Sequence, residues 1–153
     1  MAARSWLKYI MIAGCAFACS PCGAQDLHQV VWSFKLTDAA GEWSMLHATA
    51  SLAAGWHMYS QYLRPGGPLP TRFTFRPNES VYAVIGPTRE EGNAVRFYDD
   101  LYEMEIVWYG EQVVFRQPLQ LIKSHGTISG SVEFMICNEE MCIPGKREFS
   151  VAW

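Results

Sequence analysis

The stretch EMEIVWYGEQVVFRQPLQLI, Glu103 to Ile122, shows the pattern on which the fold assignment depends. Apolar and polar residues alternate over much of it, and it is rich in valine, isoleucine and aromatic residues, which is typical of half-buried β-strands. Gly110 and Glu111 interrupt the alternation, so we predict two strands joined by a tight hairpin turn near Gly110. Pro118 has no backbone N–H to donate to a neighbouring strand, which predicts an edge or a bulge at that position.

Further runs of strand length share this pattern, and turn-forming residues separate them. They are HQVVWSFKL (28–36), WSMLHATASLA (43–53), TRFTFR (71–76), VYAVI (81–85), SGSVEFMI (129–136) and REFSVAW (147–153). No helix-length segment shows the 3.6-residue period of an amphipathic helix. About eight strands without intervening helices predict an all-β fold, an immunoglobulin-like antiparallel β-sandwich in a single domain.

The first 24 residues have the layout of a secretory signal peptide. Arg4 and Lys8 form a positively charged segment, and an apolar run extends from Tyr9 to Ala18. This run is too short to span a bilayer, and small residues then precede a predicted cleavage site before Gln25. We therefore predict a signal peptide over residues 1–24 and one domain over residues 25–153.

A second interpretation of this segment is a lipoprotein signal. The run IAGC, Ile12 to Cys15, resembles a lipoprotein box in which Cys15 would be acylated, although the apolar run continues beyond it. Both interpretations place the protein outside the cytoplasm. We find no second hydrophobic segment of membrane-spanning length in the sequence, so the mature chain is expected to have no integral span.

Removal of the signal changes the cysteine count and the charge. Cys137 and Cys142 would be the only cysteines left, and an even pair in an oxidising compartment is expected to be bonded. Without Arg4 and Lys8, 10 basic residues remain against 15 acidic ones, a net charge of −5. This charge argues against nucleic acid and against an anionic membrane surface as partners.

The segment CNEEMC, Cys137 to Cys142, has four residues between its cysteines, where the C-x-x-C redox motif has two. A disulfide across so short a loop would stabilise the fold by only about 2 kcal/mol. Two interpretations are open: a structural cross-link at a hairpin end, or a bond that is broken and remade in thiol–disulfide exchange. Glu139 and Glu140 disfavour a thiolate, so an exchanging pair would be a carrier attacked by a partner's thiolate.

Four segments, in their order along the chain, resemble a known family. They are GWHMYSQ (55–61), GPLPTRFTF (67–75), YDDLYEMEIVWY (98–109) and GSVEFMICNEEMCIPGKREFSV (130–151). Together they resemble the N-terminal periplasmic domain of the thiol:disulfide interchange protein DsbD, from about Val30 to the C-terminus. The resemblance implies an immunoglobulin-like fold and a periplasmic location. It also implies a flow of electrons from a transmembrane partner, by way of a thioredoxin-like domain, to extracytoplasmic disulfides.

That family also has a transmembrane unit and a C-terminal thioredoxin domain, which this sequence lacks. We therefore expect thioredoxin-like proteins and a DsbD-type transmembrane reductase as partners. The resemblance implies that Cys142 is the exposed cysteine that forms mixed disulfides and that Cys137 resolves them. Trp56 and Tyr59 match aromatic positions that flank the cysteines in the family.

The resemblance also implies a cap loop formed by Asp99, Asp100, Leu101, Tyr102 and Glu103. In the family this loop places an aromatic side chain over the disulfide and shields it from stray oxidants and thiols. Leu101 stands at the aromatic position and Tyr102 follows it, while Glu103 stands where a glycine often lies. The shield would therefore use Tyr102, or the loop would be less mobile than in other members.

A redox carrier of this kind would be a component of a protein-disulfide reductase. Two alternatives to it remain open. One is a non-enzymatic interaction module whose disulfide only fixes a hairpin. The other is a copper-tolerance domain, since Met135, Met141, His57 and His125 include soft ligand types. Methionine in an apolar strand is more often a core residue, and His125 beside Gly126 is more often a turn residue. We therefore predict no metal site and no cofactor.

Overall fold

The computed structural model describes residues 28–38 and 43–153, which form nine β-strands. The predicted signal peptide and the alternative acylation of Cys15 lie outside the described residues. The described residues contain no α-helix, and the prediction of an all-β, immunoglobulin-like fold is confirmed. In the same part of the chain, no helix is long or apolar enough to cross a membrane.

The strands pair antiparallel throughout, in the order β1-β2-β7-β3-β8-β4, with β5 and β6 also paired to β7 and β9 paired to β8. The long strands β7 and β8 are therefore the centres of the two halves of the sandwich. The short strand β3 is paired with both and connects the halves. The strands are β1 (Val30–Asp38), β2 (Ser44–Leu52), β3 (His57–Tyr59), β4 (Arg72–Phe75), β5 (Tyr82–Val84), β6 (Arg89–Asp99), β7 (Met104–Leu121), β8 (Thr127–Cys137) and β9 (Cys142–Ala152).

The core lies between the two halves because alternate side chains of β2 and β8 point inward. Burial alternates with partial exposure along β2, as its alternating sequence requires. Phe34 of β1 stacks on Phe149 of β9 with ring centroids 4.8 Å apart, which brings the two halves together at one side. The larger of two buried clusters consists of Val30, Ala48, Ala50, Met58, Tyr109, Val113, Phe115, Val132, Phe134 and Ile136.

The predicted hairpin turn near Gly110 is wrong, because β7 continues through it as one strand of 18 residues. Gly92 of β6 faces Val113 and Ala94 faces Tyr109, so one residue of β6 lies opposite three residues of β7. This bulge falls where β7 changes its partner from β3 to β2. A glycine that interrupts an alternating pattern is compatible with a bulge as well as with a turn. Here β7 is paired with neighbouring strands both before and after Gly110, which shows that the interruption is a bulge.

Pro118 lies inside β7, opposite Met45 of β2, so the strand continues through it, and the predicted edge is present only locally, on the other side of the strand. On the other side of β7, pairing with β6 ends at Arg116 and pairing with β5 begins at Leu119. The backbone N–H of Ile85 donates to the Pro118 carbonyl across this junction, at 3.0 Å. Since N and C=O of one strand residue point to the same side, the missing N–H of Pro118 faces the gap between β5 and β6.

Candidate functional site

The disulfide closes the end of the β8–β9 hairpin. Cys137 is the last residue of β8, Cys142 is the first residue of β9, and the two are direct cross-strand partners. Their Cα atoms are 4.1 Å apart and their sulfurs are bonded. Such close pairs occur at the positions of an antiparallel ladder that exchange no hydrogen bonds, where side chains approach each other most closely.

The four residues between the cysteines form a turn with its own hydrogen bonds. The N–H of Asn138 donates to the carbonyl of Met141 at 3.0 Å. The Asn138 side-chain oxygen accepts from the N–H groups of Glu140 (2.9 Å) and Met141 (2.8 Å). Asparagine favours turns of this kind because its side chain bonds the backbone two residues on. The spacing of four therefore corresponds to one hairpin turn that does not need the disulfide to close it.

The two cysteines differ sharply in their exposure. Only 2% of Cys137 is exposed, whereas Cys142 lies at the surface. The turn residues Glu139 and Glu140 are exposed as well, and Met141 is 53% exposed. A nucleophile from solution therefore reaches the Cys142 side of the bond first.

His57 of β3 lies directly opposite Cys137, on the side away from Cys142. On its other side His57 faces Gly110 of β7, which has no side chain. The His57 ring packs against Trp108, with ring centroids 4.5 Å apart. Burial lowers the pKa of His57 below its usual value of 6.5, so the imidazole is neutral at pH 7.

The two predicted flanking aromatics lie in different surroundings. Trp56 precedes β3 and packs against the larger core cluster. Tyr59 shares a strand face with His57, and their ring centroids are 5.4 Å apart. Burial raises the pKa of Tyr59, and the nearby Tyr102 and Asp99 add to the increase. Tyr59 thus lies between the predicted cap loop and the histidine that borders Cys137.

The predicted cap loop is the turn between β6 and β7. The Asp99 carboxylate accepts from the N–H groups of Leu101 (2.9 Å) and Tyr102 (3.1 Å), the same pattern that Asn138 makes in the cysteine turn. Glu103 has a φ of 50°, in the left-handed region that glycine adopts most readily. Leu101 is 84% exposed and Tyr102 is 42% exposed. Tyr102 is close enough to Tyr59 to contribute to the rise in its pKa.

Of the residues weighed for copper, His125 lies far from His57 and Met141, which are at the disulfide end of the β8–β9 hairpin. Residue 125 lies in the connection before β8, and Gly126 beside it bonds Trp153, at the end of the β8–β9 hairpin opposite to the disulfide. The 11 residues of β8 separate the two ends by roughly 35 Å. Within residues 28–38 and 43–153, no group of three or more His, Cys, Asp or Glu side chains could bind a metal ion.

A partly buried polar cluster around Glu90 was not expected from the sequence. The Glu90 carboxylate accepts hydrogen bonds from the Ser60 hydroxyl, from the N–H of Gln61 (2.9 Å) and from the Tyr109 hydroxyl (3.1 Å). Burial and the Glu90 carboxylate together raise the pKa of Tyr109 to about 12. The cluster fastens the chain just after β3 to β6 and β7, so it fixes the strand that carries His57 and Tyr59.

The fold and the site define a class of domain: an immunoglobulin-like sandwich with a disulfide at one hairpin end. A profile of the family described as "Thiol:disulfide interchange protein DsbD, N-terminal" matches residues 24–152. The chain belongs to this family, so the resemblance found in the sequence is confirmed. No match was found among curated proteins.

Two solved structures have a similar fold. The N-terminal periplasmic domain of ScsB from Proteus mirabilis has a TM-score of 0.60 at 15% sequence identity, over 84% of this chain and 48% of that chain. This chain therefore spans about half the length of that structure. The Neisseria meningitidis DsbD N-terminal domain in the reduced form has a TM-score of 0.52 at 14% identity, over 80% of this chain and 85% of that chain.

Proposed function

We propose that this protein is an extracytoplasmic thiol–disulfide exchange domain with the Cys137–Cys142 pair as its active centre. It would pass reducing equivalents from a membrane or thioredoxin-like partner to periplasmic disulfide proteins. The observation that best supports this is the asymmetry of the bond, with one exposed and one buried cysteine at the end of a turn that has its own hydrogen bonds. Family membership supports the same class of reaction.

The oxidised domain would be reduced in two substitutions at sulfur. A partner's thiolate attacks the exposed Sγ of Cys142, a mixed disulfide forms, and Cys137 leaves with the electron pair of the broken bond. The second cysteine of the partner, as a thiolate, then attacks the sulfur of the partner's first cysteine in the mixed disulfide and releases Cys142 as a thiolate. The partner gains a disulfide and the domain gains two electrons as a dithiol.

Delivery of the electrons would reverse this order. The Cys142 thiolate attacks a substrate disulfide, one substrate cysteine leaves as a thiolate, and a mixed disulfide forms. Cys137 then attacks Cys142 and releases the second substrate cysteine. Because Cys137 is buried, intermolecular attack is expected at Cys142 and intramolecular attack at Cys137.

The cap loop would limit access to the reduced pair. Tyr102 is the candidate for the shielding side chain, since it approaches Tyr59 and is half as exposed as Leu101. Opening of this turn would then accompany docking of a partner. The periplasm is the proposed location, reached by a signal peptide over residues 1–24 or with a lipid anchor at Cys15.

Trapping of mixed disulfides tests the proposal with a matched pair of variants. Cys137→Ser keeps the exposed thiol and Cys142→Ser keeps the buried one. Each is mixed with a thioredoxin-like protein that lacks its second cysteine and carries nitrothiobenzoate on the first, and disulfide-linked complexes are quantified on a non-reducing gel. We expect Cys137→Ser to accumulate the complex and Cys142→Ser to form little. Equal failure of both variants would favour a purely structural cross-link.

A further inference from the structure

We propose that His57 is the proton acceptor that activates Cys137 for the step in which this cysteine resolves a mixed disulfide. This inference rests on the proposed exchange function and adds a residue to it. His57 is the cross-strand partner of Cys137 in the β3–β8 pairing. Side chains at such positions lie on the same face with Cβ atoms about 4.5–5.5 Å apart, so a ring nitrogen can reach the sulfur directly or through one water.

The buried position of Cys137 creates the need for a base. The resolving step requires a thiolate, and burial disfavours a charged sulfur. With 2% of its surface exposed, Cys137 has little contact with solvent that could accept its proton. A neighbouring base that is neutral at the working pH can accept the proton as the sulfur attacks.

The groups around this position leave His57 as the base nearest to Cys137 in the strand pairing. Across the hairpin lies Cys142, which is the sulfur under attack. On β7, the partners of β3 are Gly110, Tyr109 and Trp108, and none of them titrates near pH 7, since the pKa of Tyr109 is raised to about 12. The other titratable groups near the site are farther from Cys137 in the strand pairing or lie at the surface. Tyr59, Tyr102 and Asp99 lie beyond His57, and Glu139 and Glu140 are exposed in the turn between the cysteines.

The surroundings of the ring suit this role. The ring packs against Trp108 and lies edge-on to Tyr59, which orients it on the strand face. Burial lowers its pKa, so the imidazole carries a free acceptor nitrogen at neutral pH. In the step itself, the Cys137 thiol gives its proton to His57, and its sulfur attacks Cys142. The partner's sulfur leaves with the electron pair, and the proton on His57 passes to that thiolate or to water.

The experiment measures the resolving step separately from the first attack. Reduced protein is mixed with dithiobis(nitrobenzoate), whose thiolate is coloured when released. The first release reports attack by the exposed cysteine on the reagent, and the second reports displacement of the bound reagent by Cys137. Stopped-flow traces from pH 5 to pH 9 give both rates for each protein.

His57→Phe is the main variant because it keeps an aromatic ring against Trp108 and removes the nitrogens. His57→Gln is the second variant, in case the larger ring of phenylalanine disturbs the strand. His47→Gln is the matched control: this half-buried histidine on β2 also has a pKa lowered by burial, and it bonds the Thr37 hydroxyl at 3.0 Å, away from the β8–β9 hairpin end.

In the wild type we expect the second rate to rise as His57 loses its proton below pH 6.5 and then to level off. In both His57 variants we expect a loss of at least about tenfold at pH 7, with the rate still rising towards pH 9 because Cys137 must ionise unaided. The first rate should stay unchanged, and His47→Gln should match the wild type.

A second rate and pH profile in both His57 variants equal to those of the wild type would overturn this inference and leave the exchange function standing. An equal loss in His47→Gln would overturn it as well, since the effect would then not depend on position. Absence of any second release in the wild type would contradict both this inference and the proposed function, because the pair could then not close its own disulfide.

Discussion

Removal of the disulfide should destabilise the domain only slightly. The cysteines are five positions apart, and the chain-entropy model gives about 2 kcal/mol for a closed loop of this length. The turn inside the loop keeps its three hydrogen bonds around Asn138 when the sulfurs separate. We therefore expect Cys142→Ser to lower the free energy of unfolding by about 2 kcal/mol and to leave the native fold intact at ambient temperature.

Urea unfolding followed by tryptophan fluorescence measures this difference. The slope with denaturant should change little between the oxidised wild type and the variant, and the midpoint should fall. Asn138→Ala is the matched control, since it removes two exposed hydrogen bonds of the same turn and keeps the disulfide, at a cost of about 1–2 kcal/mol. A loss above about 4 kcal/mol in Cys142→Ser would refute the reasoning and favour a structural cross-link.

Three further predictions concern the cap loop and the two half-buried histidines. Glu103→Gly should raise the free energy of unfolding by about 0.5–1 kcal/mol, because glycine adopts the positive φ at lower cost; urea unfolding checks it. Tyr102→Ala should speed alkylation of the reduced cysteines by iodoacetamide, whereas Leu101→Ala should leave the rate unchanged, since Leu101 is already 84% exposed. The free energy of unfolding should fall as the pH drops below about 6.5, because His57 and His47 have lowered pKa values when folded and the unfolded chain binds the proton more readily.

Each of these has a contradicting result. A Glu103→Gly variant less stable than the wild type would mean that the glutamate side chain stabilises the fold by more than the positive φ at residue 103 costs. Should Tyr102→Ala leave alkylation unchanged while Glu139→Gln with Glu140→Gln speeds it, the carboxylates and not the cap protect the thiols. A stability that is flat between pH 5 and pH 7 would show that the two histidines titrate normally in the fold.

The strand pattern was predictable from the sequence because alternation along β2 and β8 follows directly from which face is buried. The bulge at Gly110 was not predictable, because a local sequence pattern cannot show that β2 and β3 both pair with β7 along the same side. The carboxylate of Glu90 bonds Ser60 and Tyr109, 30 and 19 positions away, and no local motif indicates such a cluster.

The candidate site was partly predictable for a similar reason. Two cysteines five positions apart with a turn between them are a local feature, and the bond between Cys137 and Cys142 could be inferred because they are the only pair left in an oxidising compartment. The position of His57 opposite Cys137 depends on the register of a strand of three residues, too short for its pattern to fix. The sequence accordingly suggested His57 only as a possible copper ligand.

The reduction potential of the Cys137–Cys142 pair tests the exchange function most directly. The wild type is equilibrated in a series of reduced and oxidised glutathione buffers, the thiols are trapped with acid, and the reduced fraction is determined by mass after alkylation. A small, partly exposed bond that serves in exchange should have a potential clearly less negative than about −300 mV. A potential more negative than that, which is typical of structural disulfides, would contradict the account.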